Sequence, residues 1–219
     1  MAEPNNRDAL VRYTANQRTS HWVLAIAFVL AALSGLALFH PAVYWFSALF
    51  GGGTWTRILH PFIGLVMTLA FAFMLASVWR DNFMQARDWQ WLRQLGDVIA
   101  NRHEALPEVG RYNAGQKLLL YLMIVCLLGL LLSGFVMWRQ YFSGFFSLGA
   151  IRLASLLHAL LAFVLICGII VHIYSAFWIK GSMRAMTQGR VSAGWAWKHH
   201  RAWFREKMTH VANSRTRPD

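Results

Sequence analysis

The stretch from Arg152 to Lys180 limits this chain more than any other feature. It is an apolar run of membrane-spanning length, uncharged between its two ends, and it contains two histidines, His158 and His172. Crossing a hydrocarbon core of about 30 Å takes roughly 20 helical residues, and in lipid a helix satisfies its own backbone polar groups. The run therefore predicts a helix. The two histidines are 14 residues apart, or about 3.9 turns, so they share one face roughly 21 Å apart along the axis. An ionisable group inside a hydrocarbon span is costly and marks a functional site. Two on one face predict two metal centres, one above the other.

Three more runs have spanning length: Trp22–Phe39, a run from about His60 to Trp79, and Leu118–Trp138. The expected spans are about 21–39, 60–79, 117–138 and 152–179. Pro61 suits the first turn of the second, where its missing N–H costs nothing. The first run is longer than a signal-peptide core, and no small-x-small site follows it, so it reads as a retained span. No strand alternation appears, and the connections are short enough for one bundle. The composition agrees: 57% hydrophobic and 14% charged, against about 45–50% and about 25% in soluble domains. The expected fold class is an all-α integral membrane protein, a four-transmembrane-helix bundle.

Cations set the orientation. Residues 1–20 hold three Lys or Arg, the polar 80–117 loop six and the tail from Lys180 nine, which makes 18; the other two connections hold three, Arg57, Arg139 and Arg152. The excess predicts that both termini and the middle loop are cytoplasmic. The chain then divides into a cytoplasmic segment 1–20, a membrane domain 21–180 and a basic cytoplasmic tail 181–219. The net charge of +12 is accounted for by this asymmetry, and nucleic-acid binding is an unnecessary hypothesis.

Topology gives each histidine a depth. His60, at the outer start of span 2, falls level with His158; His21, at the cytoplasmic start of span 1, falls level with His172. Two imidazoles from different helices at one depth are what bis-histidine ligation of a haem iron needs, an arrangement suited to electron transfer. The reading is two b-type haems, an outer one on His60 and His158 and an inner one on His21 and His172. Gly35, Gly64 and Gly168 lie on the faces that a flat ring would approach. No level gathers the three or four N or S ligands of a zinc or copper site.

Other residues receive plainer readings. His40 lies about 100° around the helix from His21 and reads as interfacial, while His103, His199, His200 and His210 read as solvated surface. Cys126 and Cys167 sit in apolar runs without disulfide, zinc or haem-attachment spacing, and read as buried, inert thiols. Arg57, Arg139 and Arg152 are candidates to pair with haem propionates or to anchor in lipid head groups. Asn113 reads by itself as a helix N-cap.

The motifs Arg57-Ile-Leu-His-Pro-Phe-Ile-Gly64, Arg111-Tyr-Asn-Ala-Gly-Gln-Lys117, Leu157-His-Ala159, Val171-His-Ile-Tyr174 and Phe177-Trp-Ile-Lys-Gly181 resemble the cytochrome b (gamma) subunit of respiratory formate dehydrogenase. The likeness runs from about Arg12 to Lys207. It departs in the tail, where Arg201-Ala202 replaces the proline that commonly follows the paired histidines. The resemblance implies the same pairing of histidines and a quinone site of Asn113, Gly115, Gln116 and His172. Amides such as Asn113 and Gln116 can donate to a quinone carbonyl.

The expected function is a di-haem conduit in a bacterial inner membrane. It would take electrons from a periplasmic iron–sulfur subunit and reduce menaquinone or ubiquinone on the cytoplasmic side. The molybdenum or tungsten site that oxidises formate would belong to another subunit, because this chain has no cysteine cluster for iron–sulfur ligation and no pterin-binding domain. The resemblance also implies higher-order association. The alternatives are the cytochrome b subunit of a nickel–iron hydrogenase or thiosulfate reductase, and a haem-free membrane anchor.

Overall fold

A computed structural model describes residues 9–100, 102 and 106–215; His103 and the side chain of His210 lie outside it. Four long apolar helices dominate: α1 (Ala15–Phe39), α2 (Gly53–Val78), α5 (Ala114–Met137) and α6 (Leu148–Trp178). Between and after them lie α3 (Ala86–Arg93), α4 (Leu95–Ile99), α7 (Ser182–Gln188), α8 (Ala193–His199) and α9 (Arg201–Arg215), with short strands β1 (Ala9–Val11) and β2 (Arg190–Ser192). Within the most apolar window of each long helix, at most 22% of residues are buried by protein, and in α6 only 6%. Helices this apolar and this uncovered need lipid around them. The chain is a multi-pass membrane protein.

The helices begin before the apolar runs do, because small and polar residues such as Asn16, Thr54 and Ala114 serve their first turns. This corrects the position of Pro61, which lies inside α2 rather than in its first turn. Lacking an N–H, Pro61 leaves the carbonyl of Arg57 without its usual helical donor, a feature that membrane helices tolerate. Before α2, the segment Pro41–Phe50 forms a 3-10 helix, and Gly51 (φ 85°) and Gly52 (φ 95°) take left-handed conformations to reverse the chain. The His40 ring accepts from the Ala42 N–H at 3.2 Å and caps this helix, which gives it a local structural role. Cys126 is buried, but Cys167 is exposed on α6. An apolar run in a membrane helix need not face protein, and the expectation of burial fails there.

The chain divides into two compact units. One comprises residues 16–77 and 121–175, the middle stretches of the four long helices. In it α6 meets each of the others, through His172 with His21 of α1, His158 with His60 of α2, and His158 with Ser133 of α5.

The other unit joins the N-terminal segment, residues 78–120 and the tail. Strands β1 and β2 pair antiparallel, Leu10 opposite Val191. Val191, Ala185, Ala196 and Trp203 form a small core, with Leu10, Tyr13, Trp195 and Phe204 packed against it. Beside it lies Arg12, 1% exposed. Its guanidinium donates to the Arg111 carbonyl and lies 4.7 Å from the ring centre of Trp203 and 5.5 Å from that of Tyr112. Burial lowers its pKa from the ordinary arginine value. Arg111 returns a bond to the Arg12 carbonyl at 3.0 Å and pairs with Asp81 at 3.0 Å.

His200 corrects a further expectation. It is 3% exposed rather than solvated. Its Nδ1–H donates to the Gly110 carbonyl at 2.8 Å, so its Nε2 lone pair faces the Arg12 guanidinium at 3.3 Å. Residues after it tie back through the Ala202 N–H, which donates to the Val109 carbonyl at 3.1 Å.

Candidate haem sites

The helix spacing that places His158 and His172 on one face of α6 also gives each of them a partner. The ring centres of His60 and His158 are 6.2 Å apart, and those of His21 and His172 are 6.3 Å apart. These separations have a chemical meaning. Two opposed metal–nitrogen bonds of about 2 Å, plus about 1.1 Å from each nitrogen to its ring centre, place two axial imidazoles roughly 6 Å apart. Imidazoles hydrogen-bonded to each other would sit closer, with their nitrogens about 2.9 Å apart. Among the described residues no group of three or more His, Cys, Asp or Glu comes together. Each pair therefore fits the two axial positions of an iron whose other four ligands come from a macrocycle.

The surroundings of the first pair fit as well. The His60 ring lies so close to α1 that a Cβ at Gly35 would sit 3.2 Å from its Cε1, tighter than ordinary contact. A side chain at Gly35 would force the His60 ring to shift by a few tenths of an ångström. Gly134 of α5 also faces His158, but there a Cβ would lie 3.6 Å from Cε1, an ordinary van der Waals contact. At Gly64 a Cβ would meet no atom within 4 Å.

Hydrogen bonds fix how the first pair is held. Ser34 Oγ lies 2.8 Å from His60 Nδ1, and Ser133 Oγ lies 2.9 Å from His158 Nδ1. Each hydroxyl also lies against the carbonyl four residues before it, Leu30 at 2.7 Å and Gly129 at 2.6 Å. Neither serine could be found from charge or motif reasoning of the usual kind. The signal in the sequence is a repeat, Leu33-Ser34-Gly35 in α1 and Leu132-Ser133-Gly134 in α5. In the second pair the Nδ1 of His21 is buried with no hydrogen-bond partner, and Trp22 meets the His21 ring edge-on at 5.4 Å.

The remaining sequence candidates lie elsewhere. Arg57, Arg139 and Arg152 are exposed, near the ends of α2, α5 and α6. Asn113 and Gln116 form a reciprocal cap at the start of α5: the Gln116 N–H donates to Asn113 Oδ1 at 2.9 Å, and the Asn113 N–H to Gln116 Oε1 at 3.0 Å. Their side-chain NH2 groups are the donors that remain. A Cβ at Gly115 would lie 3.4 Å from the Trp91 ring and from Asn113 Oδ1. Lys117 turns inward instead, donating to Asp88 at 2.7 Å and to the Phe83 carbonyl at 2.9 Å.

Comparison with known proteins agrees with this chemistry. Residues 12–189 match the family described as prokaryotic cytochrome b561. The formate dehydrogenase cytochrome b556 subunit of Escherichia coli K12 is 43% identical over 200 residues, covering 91% of this chain and 94% of that one. Its counterpart in Haemophilus influenzae is 39% identical over 206 residues, 94% of this chain and 87% of that one. The nitrate-inducible formate dehydrogenase of E. coli K12 has a cytochrome b556 subunit 38% identical over 197 residues, 90% and 91% of the two chains. With paired imidazoles at haem spacing on apolar helices, the chain belongs to the prokaryotic cytochrome b561 family, alongside the cytochrome b556 subunits of formate dehydrogenases.

Proposed function

We propose that the chain is the di-haem membrane subunit of a formate dehydrogenase in a bacterial inner membrane. In this reading it carries electrons from a periplasmic iron–sulfur subunit to menaquinone or ubiquinone near the cytoplasmic side. The observation that carries the proposal is the pair of ring separations, 6.2 and 6.3 Å, at two points of one helix. When bound, a bis-histidine haem b supplies one-electron redox chemistry without an open coordination position for oxygen.

The residues divide the work. His60 and His158 hold the periplasmic iron; His21 and His172 hold the cytoplasmic one. Arg57, Arg139 and Arg152 pair with propionates of the periplasmic haem. Asn113, Gly115 and Gln116, with His172, form the quinone site, where the amide NH2 groups donate to a quinone carbonyl and two protons come from the cytoplasm. Formate oxidation at molybdenum or tungsten takes place in another subunit, and the complexes associate further. Both termini are cytoplasmic, from the 18 to 3 distribution of Lys and Arg.

Reduced-minus-oxidised spectra of the purified complex test the proposal. Two b-type components are expected. His60→Ala and His158→Ala should each remove one component, and His21→Ala and His172→Ala the other. Loss of the same component from His21→Ala and His158→Ala, or a complex with no b-type α-band, overturns the assignment.

A further inference from the structure

We infer that Ser34 and Ser133 are positioning residues that set the redox potential of the haem held by His60 and His158. The inference rests on the two-haem reading and goes beyond it to residues that are not ligands.

A serine hydroxyl has one hydrogen and can accept more than one bond. Ser34 Oγ lies 2.7 Å from the Leu30 carbonyl, which can only accept, so its hydrogen is committed there. Its contact with His60 Nδ1 at 2.8 Å must then run the other way, with the Nδ1–H donating. The same reasoning holds for Ser133, whose hydrogen goes to the Gly129 carbonyl at 2.6 Å while His158 Nδ1–H donates at 2.9 Å. Ser34 is fully buried and Ser133 nearly so, so water does not compete for these bonds.

Two consequences follow for the histidines. Each is fixed in one tautomer, with the Nε2 lone pair left for the metal. Each also becomes a stronger donor, because a ligating imidazole that gives its other N–H to an acceptor gains electron density at the metal-binding nitrogen. The acceptor is itself strengthened by donating to a helix carbonyl, since bonds in a chain polarise one another. Stronger donation favours the ferric state and lowers the potential. At the first of the two, the following glycine adds to the device: Gly35 leaves room for the His60 ring carbon, Cε1, beside the hydrogen-bonded nitrogen, where a Cβ would come within 3.2 Å.

Among the described residues, no serine meets a histidine of the other pair in this way. His21 Nδ1 is buried without such an acceptor. A lower potential at the His60–His158 site makes transfer from that site towards the His21–His172 site more favourable, which is the direction proposed above.

Potentiometric titration of the intact complex, with the two components assigned from the single-haem histidine variants, tests the inference. Ser34→Ala and Ser133→Ala should each keep two haems per chain. Each should raise the potential of the His60–His158 component by a threefold to tenfold change in its one-electron equilibrium, roughly 30 to 59 mV. The other component should not move, and Ser34→Thr, which keeps the hydroxyl, should restore the original value. Loss of that haem in Ser34→Ala, repaired with normal potential in Ser34→Thr, gives the same assignment. Unchanged potentials in both alanine variants, a shift of the other component, or haem loss that threonine does not repair overturns it. Failure to find two b-type components in the unsubstituted complex overturns the two-haem reading instead.

Discussion

At the scale of single residues, one motif does several different jobs. In Arg111-Tyr-Asn-Ala-Gly-Gln-Lys117, Arg111 exchanges bonds with Arg12, Asn113 and Gln116 cap a helix, and Lys117 is buried on Asp88. Resemblance assigns Asn113, Gly115 and Gln116 of this motif to quinone, whereas the contacts also give Asn113 and Gln116 a capping role. The N-cap role of Asn113 was legible from residue type. The burial of His200 was not, because nothing in a basic, tryptophan-rich tail distinguishes a histidine beside Gly110 and Arg12 from one in water. Burial, and then the Arg12 guanidinium, push the His200 pKa down to about 3, whereas an unfolded histidine titrates near 6.5. Below 6.5 the unfolded chain takes up a proton that the folded chain refuses. The contribution of His200 is therefore complete above that value and declines as pH falls towards 3, by at most about 1.4 kcal/mol per pH unit. Thermal unfolding followed by tryptophan fluorescence should show a fall in midpoint between pH 7 and pH 5. His200→Gln, which keeps a donor and an acceptor, should flatten that fall; equal slopes in the two proteins would assign it elsewhere.

At the scale of elements, α6 supplies an imidazole to both pairs, and its spacing alone announced this. The partners were legible too, because successive spans run in opposite directions, which sets His60 level with His158 and His21 level with His172. Element boundaries were less so. Pro61 reads as a first-turn proline, yet α2 starts eight residues earlier at Gly53, since a left-handed Gly51-Gly52 turn can launch a helix without any apolar residue. Between α3 and α5, Lys117 and Asp88 form an ion pair with side chains 3% and 6% exposed. Asp88 also accepts from the Gln85 N–H at 2.7 Å, which ties the start of α3 to that of α5. Removing one member of such a pair leaves a buried charge and costs about 3–5 kcal/mol. Lys117→Met should therefore lower the thermal midpoint strongly, and adding Asp88→Asn should recover part of the loss. A double variant whose loss equals the sum of the singles would show that the two side chains are not coupled.

At the scale of the whole molecule, the distribution of cations predicts the topology. A periplasm-dependent phosphatase fused after the C-terminus should be inactive, and the same enzyme inserted in the 143–147 connection should be active. The reverse pattern would exchange the two proposed sides and with them the direction of electron flow. Spanning helices, their number and the pairing of the histidines follow from hydropathy, helical period and charge, because a lipid environment leaves the backbone few alternatives. Side-chain hydrogen bonds between helices depend on which faces meet and how closely, which no local pattern encodes. That is why two serine–glycine steps in separate helices acquire a meaning only when Ser34 is found against His60 and Ser133 against His158. For the same reason a histidine in a charged tail proves to be buried.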